Sequence, residues 1–256
     1  MSEGDQRYRA PALEKGLDIL ELLANADAPM SMTSMVGHLR RSQGELFRMV
    51  QVLQFRGFIE QVANSDGYAL TDRLFSLGMS RPQTLGVVEL GLPVMRKLAI
   101  DSGQSCHLAF HTAGDMVVVA RMESAEQLGF SVRVGYRRPL MQAASGAVLY
   151  AFQTAEVRAQ WEAAMSPAPK RDALKVFRAR CDRIAATGFE SVASSYVAGV
   201  TDISAPVLRG KAAAAAMTMP FIERLDPIVD QQAATALLVA AADCLSALLV
   251  AADSRP

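Results

Sequence analysis

Residues 40–71, RRSQGELFRMVQVLQFRGFIEQVANSDGYALT, decide how the chain is read. Ser42-Gln43-Gly44-Glu45 has the Ser-x-x-Glu spacing of a capping box, in which a hydroxyl and a carboxylate satisfy the free amides at a helix start. Leu46, Met49, Val50 and Leu53 then recur at i, i+3, i+4 and i+7, one apolar stripe on a helix. Gly57 stands where a helix ends in a left-handed residue. After it the period drops to two. Phe58–Val62 reads as a strand, Asn64-Ser65-Asp66-Gly67 as a turn, and Tyr68–Thr71 as a returning strand.

Working outward toward the N-terminus, Leu13, Leu17, Leu20 and Leu23 predict a first helix with an apolar stripe. Asp27-Ala28-Pro29 breaks it. Ser31 or Thr33 is placed to cap a short second helix, Ser34–Leu39, and Arg40-Arg41 forms the turn into the third. Helix, short helix, turn, longer helix and hairpin, in that order, predict a winged helix-turn-helix. With the apolar stripe of the third helix buried, its other face carries Gln43, Phe47, Arg48, Gln51 and Gln54, with Arg40 and Arg41 before the cap. Arginine pairs with guanine edges and glutamine with adenine edges. From His38 to Gly57 there are four arginines and one glutamate, 4 − 1 = +3. The candidate DNA contacts are Thr33, Arg40, Arg41, Ser42, Gln43, Phe47, Arg48 and Gln51.

The whole chain has 256 residues, 26 basic against 26 acidic, with 51% hydrophobic residues. That composition excludes disorder and a uniformly basic coat. Apolar runs break well before about 18 residues, so no membrane span is expected. The polar start MSEGDQRYRA has no apolar stretch behind it, which argues against a secretory signal. Three scattered cysteines (Cys106, Cys181, Cys244) suggest neither disulfides nor zinc, and fit a reducing cytoplasm.

Beyond residue 72 the pattern changes, and the chain is divided into a DNA-binding domain (8–72), a linker helix (73–86) and a second domain (87–252). Val87, Leu90, Val94 and Leu98 predict a helix containing Pro93. Cys106–His111 and Met116–Met122 read as strands. Leu128, Phe130, Val132 and Val134 alternate with polar or small residues, the cleanest strand pattern in the chain. Helices follow over Ala144–Phe152, through Trp161, and over Leu174–Ile184 to a stop at Gly188. Phe189–Ser195, Thr201–Leu208 and Lys211–Met219 are expected strands. Ala212–Ala216 has helical propensity, but Gly210 turns it back on the strand before it. A helix from Asp226 or Pro227 to about Ala252 closes the chain.

The stretches ALEKGLDILELL, RRSQGELFRMVQVLQFRGFIEQ and YALTDRLFSLG resemble the DNA-binding half of the IclR family of bacterial transcription regulators. GQSCHLAFHTAGDMVVVARMES, PLMQAASGAVLYAF and TGFESVASSYVAGVTDISAPV are similar to its effector-binding half. The resemblance implies an α+β chain: a winged helix-turn-helix joined by a linker helix to a GAF-like domain with a curved antiparallel sheet around a small-molecule pocket. It implies operator DNA and a small-molecule effector, read below as a small organic acid, as partners, and a dimer or dimer of dimers with contacts through the N-terminal domains, for which helix 1 and the linker helix near Arg73–Met79 are candidate surfaces. It places effector contacts at Leu140, Ser145, Gly146, Ala147, Asp202, Met217 and Met219. The chain departs from the commoner pattern at Gln43-Gly44-Glu45, leaving Arg48 the leading base contact.

Small residues at Ala143-Ala144-Ser145-Gly146-Ala147 let a ligand approach the backbone. If a helix starts there, the amides of Ser145, Gly146 and Ala147 suit a carboxylate. Two methionines on the last strand imply a more apolar pocket, for an aromatic or hydrophobic acid; ordinary core is the other reading. Other chemistries find less support. His107 and His111 on a strand stand about 13 Å apart, too far for one metal ion. Cys106 is an alternative redox sensor, but no basic neighbour is evident to activate it. Ser145 lacks both outer glycines of a nucleophile elbow, and no dinucleotide or phosphate loop occurs. No enzyme, cofactor or metal is expected.

Overall fold

The structure is a computed structural model that describes residues 10–63, 65–79, 82–127 and 129–253. The chain falls into two compact units, dividing between residues 81 and 82. Residues 8, 9, Asn64 and Leu128, which the sequence reading used, lie outside the described residues.

In the first unit the elements run α1 (Pro11–Ala24), β1 (Met30–Ser31), α2 (Met32–Leu39), α3 (Gln43–Phe55), β2 (Ile59–Gln61), β3 (Gly67–Leu70) and α4 (Arg73–Met79). Pro11 opens α1 at a position where a missing N–H costs nothing. Ser31 caps α2 by accepting from the Ser34 amide at 3.2 Å. α3 ends in a Schellman motif: Phe58 N–H donates to Leu53 O and Gly57 N–H to Gln54 O, with Gly57 at φ 72°. Ile19, Leu23, Met35, Leu46, Val50, Ile59 and Tyr68 form one core. Each such side chain contributes about 1.5–3 kcal/mol on burial.

Two details differ from expectation. The α1 face turned to this core is Gly16, Ile19 and Leu23, whereas Leu13 and Leu17 are exposed. The leucine spacing had merged two neighbouring ridges, because Gly16 and Leu17 lie about 100° apart around the axis. The wing also has a third strand, ordered β1-β3-β2, in which Met30 pairs with Tyr68 and Ser31 with Gly67. A two-residue strand leaves no alternation to read.

The second unit contains α5 (Pro82–Ser102), β4 (Cys106–Thr112), β5 (Asp115–Met122), β6 (Arg137–Pro139), a 3-10 turn at Leu140–Gln142, α6 (Ala144–Ala151), α7 (Ala155–Ala164), α8 (Arg171–Thr187), β7 (Glu190–Ala193), β8 (Val200–Arg209), β9 (Ala212–Ile222) and α9 (Gln231–Asp253). α5 starts at Pro82, so 82–86 are the first turns of a domain helix rather than linker. All strands pair antiparallel in the order β6-β5-β4-β9-β8-β7. One face, with Leu108, Ile203, Ala205, Val207, Met217, Met219 and Phe221, packs on α5 and α9. The other, with Ala109, Met116, Val118, Ala213 and Ala216, packs on α6 and α8.

The five-alanine run is strand, part of β9, paired along its length with β8. The segment expected to be the clearest strand is not one: 129–134 has no ladder, and the strand is Arg137–Pro139 instead. Alternation records which side chains turn inward, and Val132 does pack against the second core. A strand also needs a partner, and β5 gives its ladder here to β6, with only Gly135 N–H to Val118 O and Val118 N–H to Tyr136 O just before it. α9 also departs from expectation. It is long and apolar enough by length and composition to cross a membrane, because its alanines and leucines run on past Asp243. Its stripe Ala234, Leu238, Ala242, Leu245 and Leu249 is nevertheless packed in the α5/α9 core.

Candidate nucleic-acid interface and effector site

α3 buries Leu46 and Val50 and turns Gln43, Phe47, Arg48 and Gln51 outward. Phe47 is half exposed, 50%, which a core residue would not be. Thr33, Arg40, Arg41 and Ser42 are exposed on α2 and the turn. Arg40 adopts the left-handed region at φ 51°, a conformation that costs a side-chain-bearing residue about 1 kcal/mol. The turn between the two helices is therefore made with a cation in the place glycine fills most easily.

Glu45 lies among these cations without opposing them. Its carboxylate accepts from the Ser42 amide at 3.1 Å and the Ser42 hydroxyl at 2.8 Å. Its other oxygen meets Lys15 Nζ of α1 at 2.6 Å. The Lys15 hydrogen bond, then those from Ser42, hold this carboxyl down to about 2. Arg41 approaches Asp18 of α1 at 3.6 Å. The acidic groups are thus tied to α1 and the cap, and the exposed face of α3 keeps its positive charge.

The candidate effector residues divide between the two faces of the sheet. Leu140, Ala143 and Ala147 belong to the α6/α8 side. Ser145 is buried within α6, 3% exposed. Met217 and Met219 are fully buried in the α5/α9 core. Because side chains alternate along a strand, it is Ala216 and Thr218 of β9 that face α6. The two methionines therefore do not share a face with Ser145, and the apolar pocket inferred from them loses its basis. Asp202 is placed with the α6 group, two residues from Ser204 on the same face of β8.

That face carries a polar file across four strands that sequence reading missed. His107 of β4 stands opposite Thr218 of β9, Thr218 opposite Ser204 of β8, and Ser204 opposite Glu190 of β7. Ser204 and Thr218 hydroxyls share a hydrogen bond of 2.8 Å. Glu190 accepts two bonds from Arg180 of α8, at 2.6 and 2.7 Å. His107 is 5% exposed, and its Nδ1 has no partner. An unpaired buried polar atom costs about 1–3 kcal/mol. Burial holds the imidazole down to about 4, so it is neutral at physiological pH.

α6 packs over β4, β8 and β9. Its first-turn amides belong to Ala144, Ser145 and Gly146. The Ala147 amide, expected to be free, donates to Ala143 O at 3.0 Å. Gly146 is a packing requirement as well: a Cβ there would collide with the Leu140 carbonyl oxygen.

The sheet curls around this face. β6 and β7 are its two edges, about 24 Å apart in a flat sheet of six strands. Yet Arg138 of β6 donates to Ser195, two residues past β7, at 3.4 Å, and Ser195 donates to Gln142 O at 3.3 Å. The Arg138 guanidinium lies 5.3 Å from the Tyr196 ring centre, and Tyr136 is 6.4 Å from the same ring. Asp202 is half-buried, and burial raises its carboxyl above the usual range against the pull of Ser194 and Arg138.

The cysteine and histidine alternatives are weakened on physical grounds. Burial pushes the Cys106 thiol up to about 12, leaving no thiolate to react with oxidants. His111 stacks on Trp161 with ring centres 3.7 Å apart and accepts from the Gly114 amide through Nε2. Among the described residues no three His, Cys, Asp or Glu side chains gather as a metal site.

Two family descriptions match the chain. "IclR helix-turn-helix domain" covers residues 12–63, and "Bacterial transcriptional regulator IclR C-terminal" covers 81–247. The HTH-type transcriptional regulator KdgR of Dickeya chrysanthemi is 27% identical over 56% of this chain and 46% of its own length. The acetate operon repressor of Salmonella typhimurium is 23% identical over 53% of this chain and 50% of its own. The chain thus spans about half the length of the curated relatives it matches. A solved structure of an IclR homologue from Microbacterium hydrocarbonoxydans, complexed with 4-hydroxybenzoate, superposes with a TM-score of 0.75 at 19% identity, covering 94% of this chain and 99% of that one. With most of its length matched by the family's two descriptions, this chain belongs to the IclR family of bacterial transcription regulators.

Proposed function

We propose that this chain is a ligand-responsive regulator that reads operator DNA with α3 and senses a small organic acid against the α6 face of its second unit. The observation that carries the DNA reading is the outward face of α3. Arg48, Gln43 and Gln51 are exposed on a helix whose opposite side is locked into a core, and the Glu45 carboxylate of the same helix is tied to Lys15 and Ser42. Thr33, Arg40, Arg41 and Ser42 lie at the flank suited to phosphates, and Phe47 to an apolar base edge. Arg48→Ala is expected to weaken binding to an operator fragment about 10–100-fold, from the roughly 1–3 kcal/mol of a bidentate base contact. Its melting temperature stays at the wild-type value. Fluorescence anisotropy across a salt series checks this: wild-type affinity falls steeply with salt, and a wild type indifferent to every promoter fragment removes the reading.

The effector reading rests on the α6 amides of Ser145 and Gly146 beside Leu140, on the polar file under them, and on Asp202 at the same face. A carboxylate suits the amides, and the 4-hydroxybenzoate in the Microbacterium relative is an acid of this kind. A ligand bound only to the native state raises the melting temperature, so a thermal-shift screen of small carboxylic acids tests it. A two-fold dimer fits both halves of the proposal, since paired reading heads match half-sites about 34 Å apart. Exposed Leu13 and Leu17 of α1 and Leu74 of α4 are surfaces suited to it. The effector must favour one spacing of the heads over another, because equal affinity for both shifts nothing.

A further inference from the structure

Resting on the effector reading above, we infer that His107 is a specificity-determining residue that selects acids carrying a second hydrogen-bonding oxygen, a hydroxyl or keto group in addition to the carboxylate.

Three observations meet at this side chain. Strand alternation turns His107 to the α6 face: its neighbours Cys106 and Leu108 are in the α5/α9 core, and Ala109 is in the α6/α8 core. Its direct cross-strand neighbour is Thr218, already bonded to Ser204. Its Nδ1 is buried with no hydrogen-bond partner, so the file of polar groups under α6 ends on an unmet nitrogen. Unmet buried groups are rare and point to something that completes them. The α6 amides provide for one anionic group. A neutral imidazole provides one further donor or acceptor, which matches a neutral oxygen rather than a second carboxylate. A site built to bond such an oxygen discriminates strongly against the analogue without it, because the site's own group is then left unpaired.

Matched acids differing by one oxygen test this on the full chain. The pairs are 4-hydroxybenzoate with benzoate, lactate with propionate, and pyruvate with propionate, titrated by calorimetry against wild type, His107→Phe and His107→Asn. The expected result is that wild type binds the oxygenated member of at least one pair tenfold or more tightly. His107→Phe brings the two members to within about twofold, and His107→Asn, which keeps a polar atom near the Nδ1 position, restores part of the preference. His107→Phe also removes an unpartnered nitrogen, so its ligand-free melting temperature equals or exceeds that of wild type, whereas a histidine with a merely structural bond would lower it on replacement. Wild type binding both members of each pair equally, or His107→Phe keeping the full preference, overturns the inference and leaves the effector reading standing. No binding of any acid by wild type overturns the effector reading and this inference together.

Discussion

Glu45 and Gly146 each do work that their residue types do not announce. A glutamate on a helix proposed to face DNA reads as a defect in the positive patch, until its carboxylate is seen bonded to Lys15 and Ser42. Its folded value of about 2 lies below the ordinary 4.5. The stabilisation it gives is therefore complete above about pH 4.5 and fades as the pH falls toward 2. Glu45→Gln is expected to lower the melting temperature of the DNA-binding unit at pH 7, with the difference from wild type vanishing by about pH 2 in thermal melts across that range. Gly146 was picked out from sequence as a ligand approach, and its added Cβ would strike the Leu140 carbonyl. Gly146→Ala should cost about 3 kcal/mol, an overpacking that α6 must move to relieve, measured as a lowered urea midpoint. What the sequence could not carry is the orphan at His107. Its partners are set by strand pairing across more than a hundred residues, and no local pattern encodes that.

At the level of elements, legibility followed the number of independent signals. α3 was readable because a cap, a periodic stripe and a terminal glycine agree on it, and the structure realises all three. Residues 128–134 offered one signal, alternation, and 129–134 is not a strand. β9 shows the opposite case. Its alanine run favours a helix by propensity, but tertiary pairing with β8 overrides it. The alanines have a packing consequence: Ala213 and Ala216 of β9 share one core with Ala143 and Ala147, and α6 packs over this strand. Ala216→Val is expected to destabilise the second unit by about 1–3 kcal/mol and to weaken acid binding by displacing the α6 amides. Chemical denaturation and calorimetry on the same variant check both effects. Met217 and Met219, which the sequence left open between pocket and core, lie in the α5/α9 core, and strand alternation turns Ala216 and Thr218 to the α6 face.

For the molecule as a whole, the sequence marks its division by a proline and two glycines between helical patterns at 72–86, and the compact units divide between residues 81 and 82. On the proposed reading a bound acid acts on DNA affinity through an assembly, and the face proposed for assembly is apolar. Leu13 and Leu17 are 64% and 49% exposed. Leu13→Glu with Leu17→Glu should yield monomers by sedimentation velocity and cost more than tenfold in operator affinity, with the unit's fold retained because both side chains are exposed and the core is met by Gly16, Ile19 and Leu23. A dimer unaffected by the pair of charges would place the contact elsewhere. One feature of the second unit bears on its behaviour at high concentration. Its outermost strands are only three and four residues long, one containing Pro139, and Arg138 links the first of them to the segment just past the second. Strands so short, one of them ending in a proline, give a stranger's backbone little length to zip onto at either rim, so the same bending that brings the two edges together also works against fibril-like stacking between neighbours.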